Sequence, residues 1–125
     1  MGRIRQMINV HGRESWTLFD TGARRTCIVP AVASLLTTAA LSHPIRTALG
    51  GAVQESNEAA LLEAEIEGLP ISTHATVIDN IGKDDDGKPI EVLFGALAMQ
   101  EWGIRLIPEQ EKLDLSHYTT EFVEY

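Results

Sequence analysis

Cysteine occurs once, at Cys27, so no disulfide can form within the chain. That accords with a reducing compartment. No apolar run approaches the ~20 residues of a membrane-spanning helix. The first residues, Met1-Gly2-Arg3-Ile4-Arg5, lack the apolar core of a signal peptide. Cytoplasmic residence is the expectation. Cations are also scarce: 10 Lys and Arg stand against 18 Asp and Glu, a formal net charge of −8. Phosphate contacts need clustered Lys and Arg, so neither nucleic acid nor an anionic membrane surface is an expected partner. His11, His43, His74 and His117 are scattered without metal-ligand spacing, and no metal or cofactor is expected. Nothing places a His and an orienting acid beside Ser15 or Ser34, which leaves no hydrolytic serine. No repeat and no linker divides the 125 residues, a length that suits one domain over 1–125. Folding at that length hides roughly two-thirds of the unfolded surface, enough for one real core.

What the chain does have is a series of short strand-like runs. Residues 3–10 and 15–19 read as strands joined through His11-Gly12-Arg13-Glu14. Residues 26–29 read as a strand stopped by Pro30, and 31–36 as a short helix. Ser42-His43-Pro44 reads as a break. Residues 45–54 and 59–67 are expected to pair. The second of these has strong helix formers, yet Leu62, Ala64 and Ile66 alternate with Glu63, Glu65 and Glu67, the period of a strand. Residues 71–78 and 90–94 read as strands, 95–102 as a short helix ended by Gly103, and 104–107 with 112–115 as a hairpin. Many short strands with little helix predict an all-β closed barrel with one or two short helices. The tail 116–125 is polar and aromatic and is not assigned.

Asp20-Thr21-Gly22-Ala23 follows the apolar run Trp16-Thr17-Leu18-Phe19 and precedes Thr26-Cys27-Ile28-Val29. A carboxylate ending a buried strand is costly unless something holds it. Thr21 adds a hydroxyl for local hydrogen bonds. The plain alternative is a turn in which Asp20 caps nearby amides. Asp84-Asp85-Asp86-Gly87 begins like a calcium loop, but no later acid follows at the required spacing, and it reads as a solvated turn. Cys27, beside Ile28 and Val29, reads as a small packed residue, and Trp102 as core or dimer contact.

Three stretches make the chain resemble the retropepsin-like aspartic proteases, especially their small single-domain prokaryotic members. Phe19 to Thr26 looks like the catalytic loop. Ala48-Leu49-Gly50-Gly51-Ala52 sits where the family places its flap. Val92-Leu93-Phe94-Gly95-Ala96-Leu97-Ala98-Met99 looks like its second apolar-apolar-Gly element and following helix. Two positions depart from the family. Many members carry an acid after the Ala and an Arg after the second Gly, an ion pair that braces the dimer; here the positions hold Arg24 and Ala96. Losing both partners avoids an unpaired charge.

The resemblance implies proteolysis by two carboxylates sharing one proton, one activating a water and the other polarising the scissile carbonyl. With one Asp-Thr-Gly per chain, the second carboxylate must come from another copy, so a two-fold homodimer is implied with Asp20 as the catalytic residue. Thr21, Gly22 and Ala23 complete the active-site loop, and Thr21 takes the family's cross-dimer hydrogen bond. Leu49, Gly50, Gly51 and Ala52 become a substrate-covering flap over an extended peptide or protein substrate. Arg24 or Arg25, if aimed at the paired carboxylates, would favour their ionised form. The alternative is a non-catalytic peptide-binding module on the same fold, which the Arg24 and Ala96 departures encourage. A third reading is a monomer in which Asp20 is structural only.

Overall fold

A computed structural model describes residues 2–49 and 51–120. Its strands are β1 (Arg3–Val10), β2 (Arg13–Asp20), β3 (Cys27–Ile28), β4 (Thr38–Leu49), β5 (Ala52–Ile66), β6 (Leu69–Val77), β7 (Val92–Phe94), β8 (Arg105–Ile107) and β9 (Lys112–Asp114). Two short helices, α1 (Pro30–Ala33) and α2 (Ala96–Trp102), interrupt them.

Seven strands form one sheet in the order β1-β2-β7-β3-β6-β5-β4, and β1 also meets β5 at Asn9↔Glu65. That single pairing closes six strands into a ring, and β4 lies outside it on the free edge of β5. β8 and β9 form a separate hairpin. The expected all-β barrel is therefore present, closed at a narrow seam.

Turn chemistry sets the register. His11 and Gly12 both have positive φ (50° and 86°), the twist that a two-residue hairpin turn requires. Gly12 donates to Asn9 Oδ1 at 2.8 Å. Arg13 and Glu14 thus belong to β2, and the expected four-residue turn is a two-residue one. Glu67 and Gly68 repeat the device between β5 and β6. Along β5 the even-numbered residues Ala60, Leu62, Ala64 and Ile66 are buried while Leu61, Glu63 and Glu65 face out. Tertiary burial overrides the helix propensity of this segment. Ser42-His43-Pro44 does not end a strand; β4 runs through it, and its pairing with β5 shifts register between Ala40 and Ile45.

The core inside the ring gathers Ile4, Ile8, Val10, Phe19, Leu62, Ile66, Val92 and Phe94, with Trp102 and Met99 from α2. Trp102 donates its indole N–H to the Ser72 carbonyl at 2.8 Å. Tyr118 stacks on Trp102 with centroids 6.0 Å apart and donates its hydroxyl to the Pro70 carbonyl. The first part of the tail therefore folds back on its own chain; residues 121–125 lie outside the described residues. No described helix is long and apolar enough to cross a membrane.

Candidate active site

Asp20 is the last residue of β2 and is 7% exposed. Directly before it, Phe19 is fully buried, its ring 5.1 Å from that of Phe94 on neighbouring β7. β2 and β7 run parallel with Phe19 opposite Phe94, and this aromatic pair anchors the strand end that carries Asp20. Asp20 Oδ1 accepts the Gly22 amide at 2.8 Å, and its backbone carbonyl accepts the Ala23 amide at 3.1 Å. Both bonds tighten the turn, and the first orients the carboxylate. Oδ2 accepts from Arg3 Nε at 3.3 Å.

The loop is pinned from a second side by β7 and α2. The amides of Ala96 and Leu97 donate to the carbonyls of Ala23 (2.7 Å) and Arg24 (3.1 Å). Gly95 donates its amide to the buried hydroxyl of Thr26 at 3.1 Å. A Cβ on Gly95 would lie 2.5 Å from the Arg25 carbonyl oxygen and 2.8 Å from that of Arg24. Only glycine permits this approach of β7 to the loop. Position 96 therefore contributes a backbone donor, which Ala96 supplies as well as any residue but proline.

Thr21 is exposed, and its hydrogen bonds run to Gly2 of the same chain. Its amide donates to the Gly2 carbonyl at 3.1 Å, and its Oγ1 accepts the Gly2 amide at 2.8 Å. These bonds tie the start of β1 to the loop.

Gly22, Ala23, Arg24 and Arg25 form one wall of a cleft of about 490 Å³, and Ile45 to Leu49 of β4 form the other. Of the expected flap residues, Leu49 reaches this cleft and packs against a cluster of Leu18, Cys27, Ile78, Ile90 and Leu93. Gly51 and Ala52 are exposed at the hairpin tip, and Gly50 lies outside the described residues. Burial raises the Cys27 thiol above its ordinary range, which suits a packed, protonated side chain. Among the described residues, no group of three or more His, Cys, Asp and Glu is arranged to hold a metal.

The cation on the carboxylate is Arg3, not Arg24 or Arg25. β1 and β2 place Arg3 directly across from Asp20, and the hairpin register alone carries this pairing. Asp84 to Gly87 is the expected turn, with Asp85, Asp86 and Gly87 exposed, but its first residue is not solvated. The Asp84 side chain is only 3% exposed and forms an ion pair with Arg5 at 3.5 Å. It also takes the amides of Asp86 and Lys88 and the Trp16 indole N–H, all at 2.8–2.9 Å.

No protein-family model and no characterised protein sequence matches the chain. Among solved structures it is similar to the crystal structure of the retroviral protease-like domain of Ddi1 from Leishmania major. The match has a TM-score of 0.65 at 13% identity and covers 93% of this chain and 90% of that one. The fold is therefore retropepsin-like, as the motifs imply. At this identity the likeness carries the fold alone.

Proposed function

We propose that the protein is an aspartic endopeptidase, active as a homodimer in which each copy contributes Asp20. The observation that carries this reading is the carboxylate itself. It is nearly buried at a strand end, its loop is pinned by Gly95 and the start of α2, and the loop forms one wall of a cleft under the β4–β5 hairpin. The Gly22 amide and Arg3 offset the cost of burying that carboxylate, so its place on a rigid loop that walls a cleft carries the argument.

In the proposed mechanism one Asp20 is ionised and the other protonated. The ionised carboxylate takes a proton from a water as its oxygen attacks the scissile carbonyl. The protonated one donates a hydrogen bond to the carbonyl oxygen as charge develops there. The tetrahedral adduct then collapses, the C–N bond breaks and the leaving nitrogen takes a proton from the pair. Rigid backbone anchors at Ala23 and Arg24 keep the carboxylates placed throughout. An extended peptide would lie between the loop and β4, adding its backbone as a strand. A reducing, cytoplasmic setting accords with the single thiol.

A second reading, a non-catalytic peptide-binding module, draws on Arg3. Its guanidinium occupies Oδ2, one of the two oxygens that a paired site needs for water and proton. The two readings separate by incubating an unfolded protein and a mixed peptide pool with the wild type across acidic to neutral pH. An endopeptidase cleaves, is blocked by a statine-type inhibitor and falls silent in Asp20→Asn. A folded, dimeric wild type that cleaves nothing leaves the binding module.

A further inference from the structure

The cleft walled by the loop that follows Asp20 carries positive charge in a chain with a large excess of acid. Arg24 and Arg25 line one wall and Arg46 of β4 the other, and no acidic side chain lines it among the described residues. Three of the four other arginines are ion-paired. Arg3 meets Asp20, Arg5 meets Asp84 and Asp86, and Arg13 meets Glu91 at 2.6 Å. Arg24 and Arg25 have no hydrogen-bond or ion-pair partner for their guanidinium groups among the described residues. Arg46 has only a long contact of 3.9 Å to Glu55, with both side chains largely exposed.

Two adjacent unpaired cations facing a third repel one another; all three residues are exposed, so salt screens that repulsion. With 18 acidic residues available, leaving all of them out of this cleft is a pattern that a carboxylate ligand would complete. The guanidinium fork matches a carboxylate bidentately, with more geometric selectivity than an ammonium group. The arginine roots are also rigid, because the Arg24 carbonyl accepts the Leu97 amide. Less ordering is therefore lost when the side chains engage. The adjoining hollow shares Arg25, Ile45 and Thr76 but is lined by Glu101 as well, so the uncompensated charge is confined to the cleft.

We infer that this cleft selects peptides carrying an acidic side chain close to the scissile bond. The inference rests on the reading that an extended peptide occupies the cleft, and it names the substrate class. Alternate residues of an extended strand point to opposite faces, so a Glu or Asp on the peptide meets arginine from the loop wall or from β4.

The test uses two decapeptide pools, each with a central pair randomised over apolar residues. The flanking residues are Glu in one pool and Gln in the other. Cleavage by the wild-type protein gives a kcat/KM ratio, and binding to the Asp20→Asn variant is measured alongside. The expected ratio favours the Glu pool by about fivefold at low salt. It falls toward one at high ionic strength, where exposed charges are screened. It also falls toward one in Arg24→Gln/Arg25→Gln and persists in Arg24→Lys/Arg25→Lys. Equal cleavage of both pools overturns the acidic preference and leaves proteolysis standing. No cleavage, with tighter binding of the Glu pool, overturns proteolysis and leaves the cleft's acidic preference standing. No cleavage and no binding preference overturns both.

Discussion

At the scale of single residues, the site depends on neighbours that make no contact with a substrate. Gly95 is the sharpest case. A methyl group there would press into the Arg24 and Arg25 carbonyls, and backbone has no flexible end with which to yield. Gly95→Ala should therefore destabilise the fold by about 1–3 kcal/mol, the usual cost of overpacking. It should also displace the loop that holds Asp20. Chemical denaturation reads the first effect and cleavage rate the second; an alanine variant of wild-type stability and rate would contradict the pinned-loop account. Asp20-Thr21-Gly22 was legible because a carboxylate ending an apolar run is conspicuous in sequence. Arg3 was not. With a turn of four residues, β1 and β2 would set Arg5 opposite Asp20. The two-residue His11-Gly12 turn sets Arg3 there instead. One local backbone choice thus decides which cation meets the carboxylate. The Thr26–Gly95 bond spans 69 residues in sequence and leaves no local pattern to read.

At the scale of elements, alternation of apolar and acidic residues identified β5 against its helix propensity, because burial of one face outweighs tenths of a kcal/mol per residue. The Ser42-His43-Pro44 segment was misread for the opposite reason. Pro44 signals a stop locally, but an edge strand tolerates a missing donor through a register shift. The loop between β6 and β7 is held by long-range bonds that sequence does not reveal. The Lys88 amide, then the Trp16 indole, the Asp86 amide and the Arg5 charge hold the Asp84 carboxyl below its ordinary range, against the opposing effect of desolvation. A carboxyl depressed in the folded state stabilises the fold above its unfolded pKa, and that contribution is lost as pH falls through the folded value. The wild type should lose stability on acidification below about pH 4, the unfolded Asp value. Asp84→Asn should be less stable at neutral pH and should show a shallower acid dependence. Parallel acid dependences for the two proteins, measured by thermal unfolding, would remove Asp84 from this role.

At the scale of the molecule, the class of fold was legible from the number and spacing of strands. Where the barrel closes was not, since its seam is one pairing, Asn9↔Glu65, between distant strands. The charge pattern behaves likewise: a net −8 gives no hint that three arginines converge on one cleft, because only folding brings Arg46 opposite Arg24 and Arg25. The central claim also belongs to this scale, since the proposed mechanism needs two carboxylates and each chain offers one Asp-Thr-Gly. The direct test mixes equal amounts of wild type and Asp20→Asn, allows subunits to exchange, and measures cleavage relative to the same total of wild type. If the active site is shared and mixed dimers are inactive, the rate falls to about one quarter, the statistical share of wild-type pairs in a two-fold assembly. A rate of about one half would mean that each chain works alone and would contradict the account.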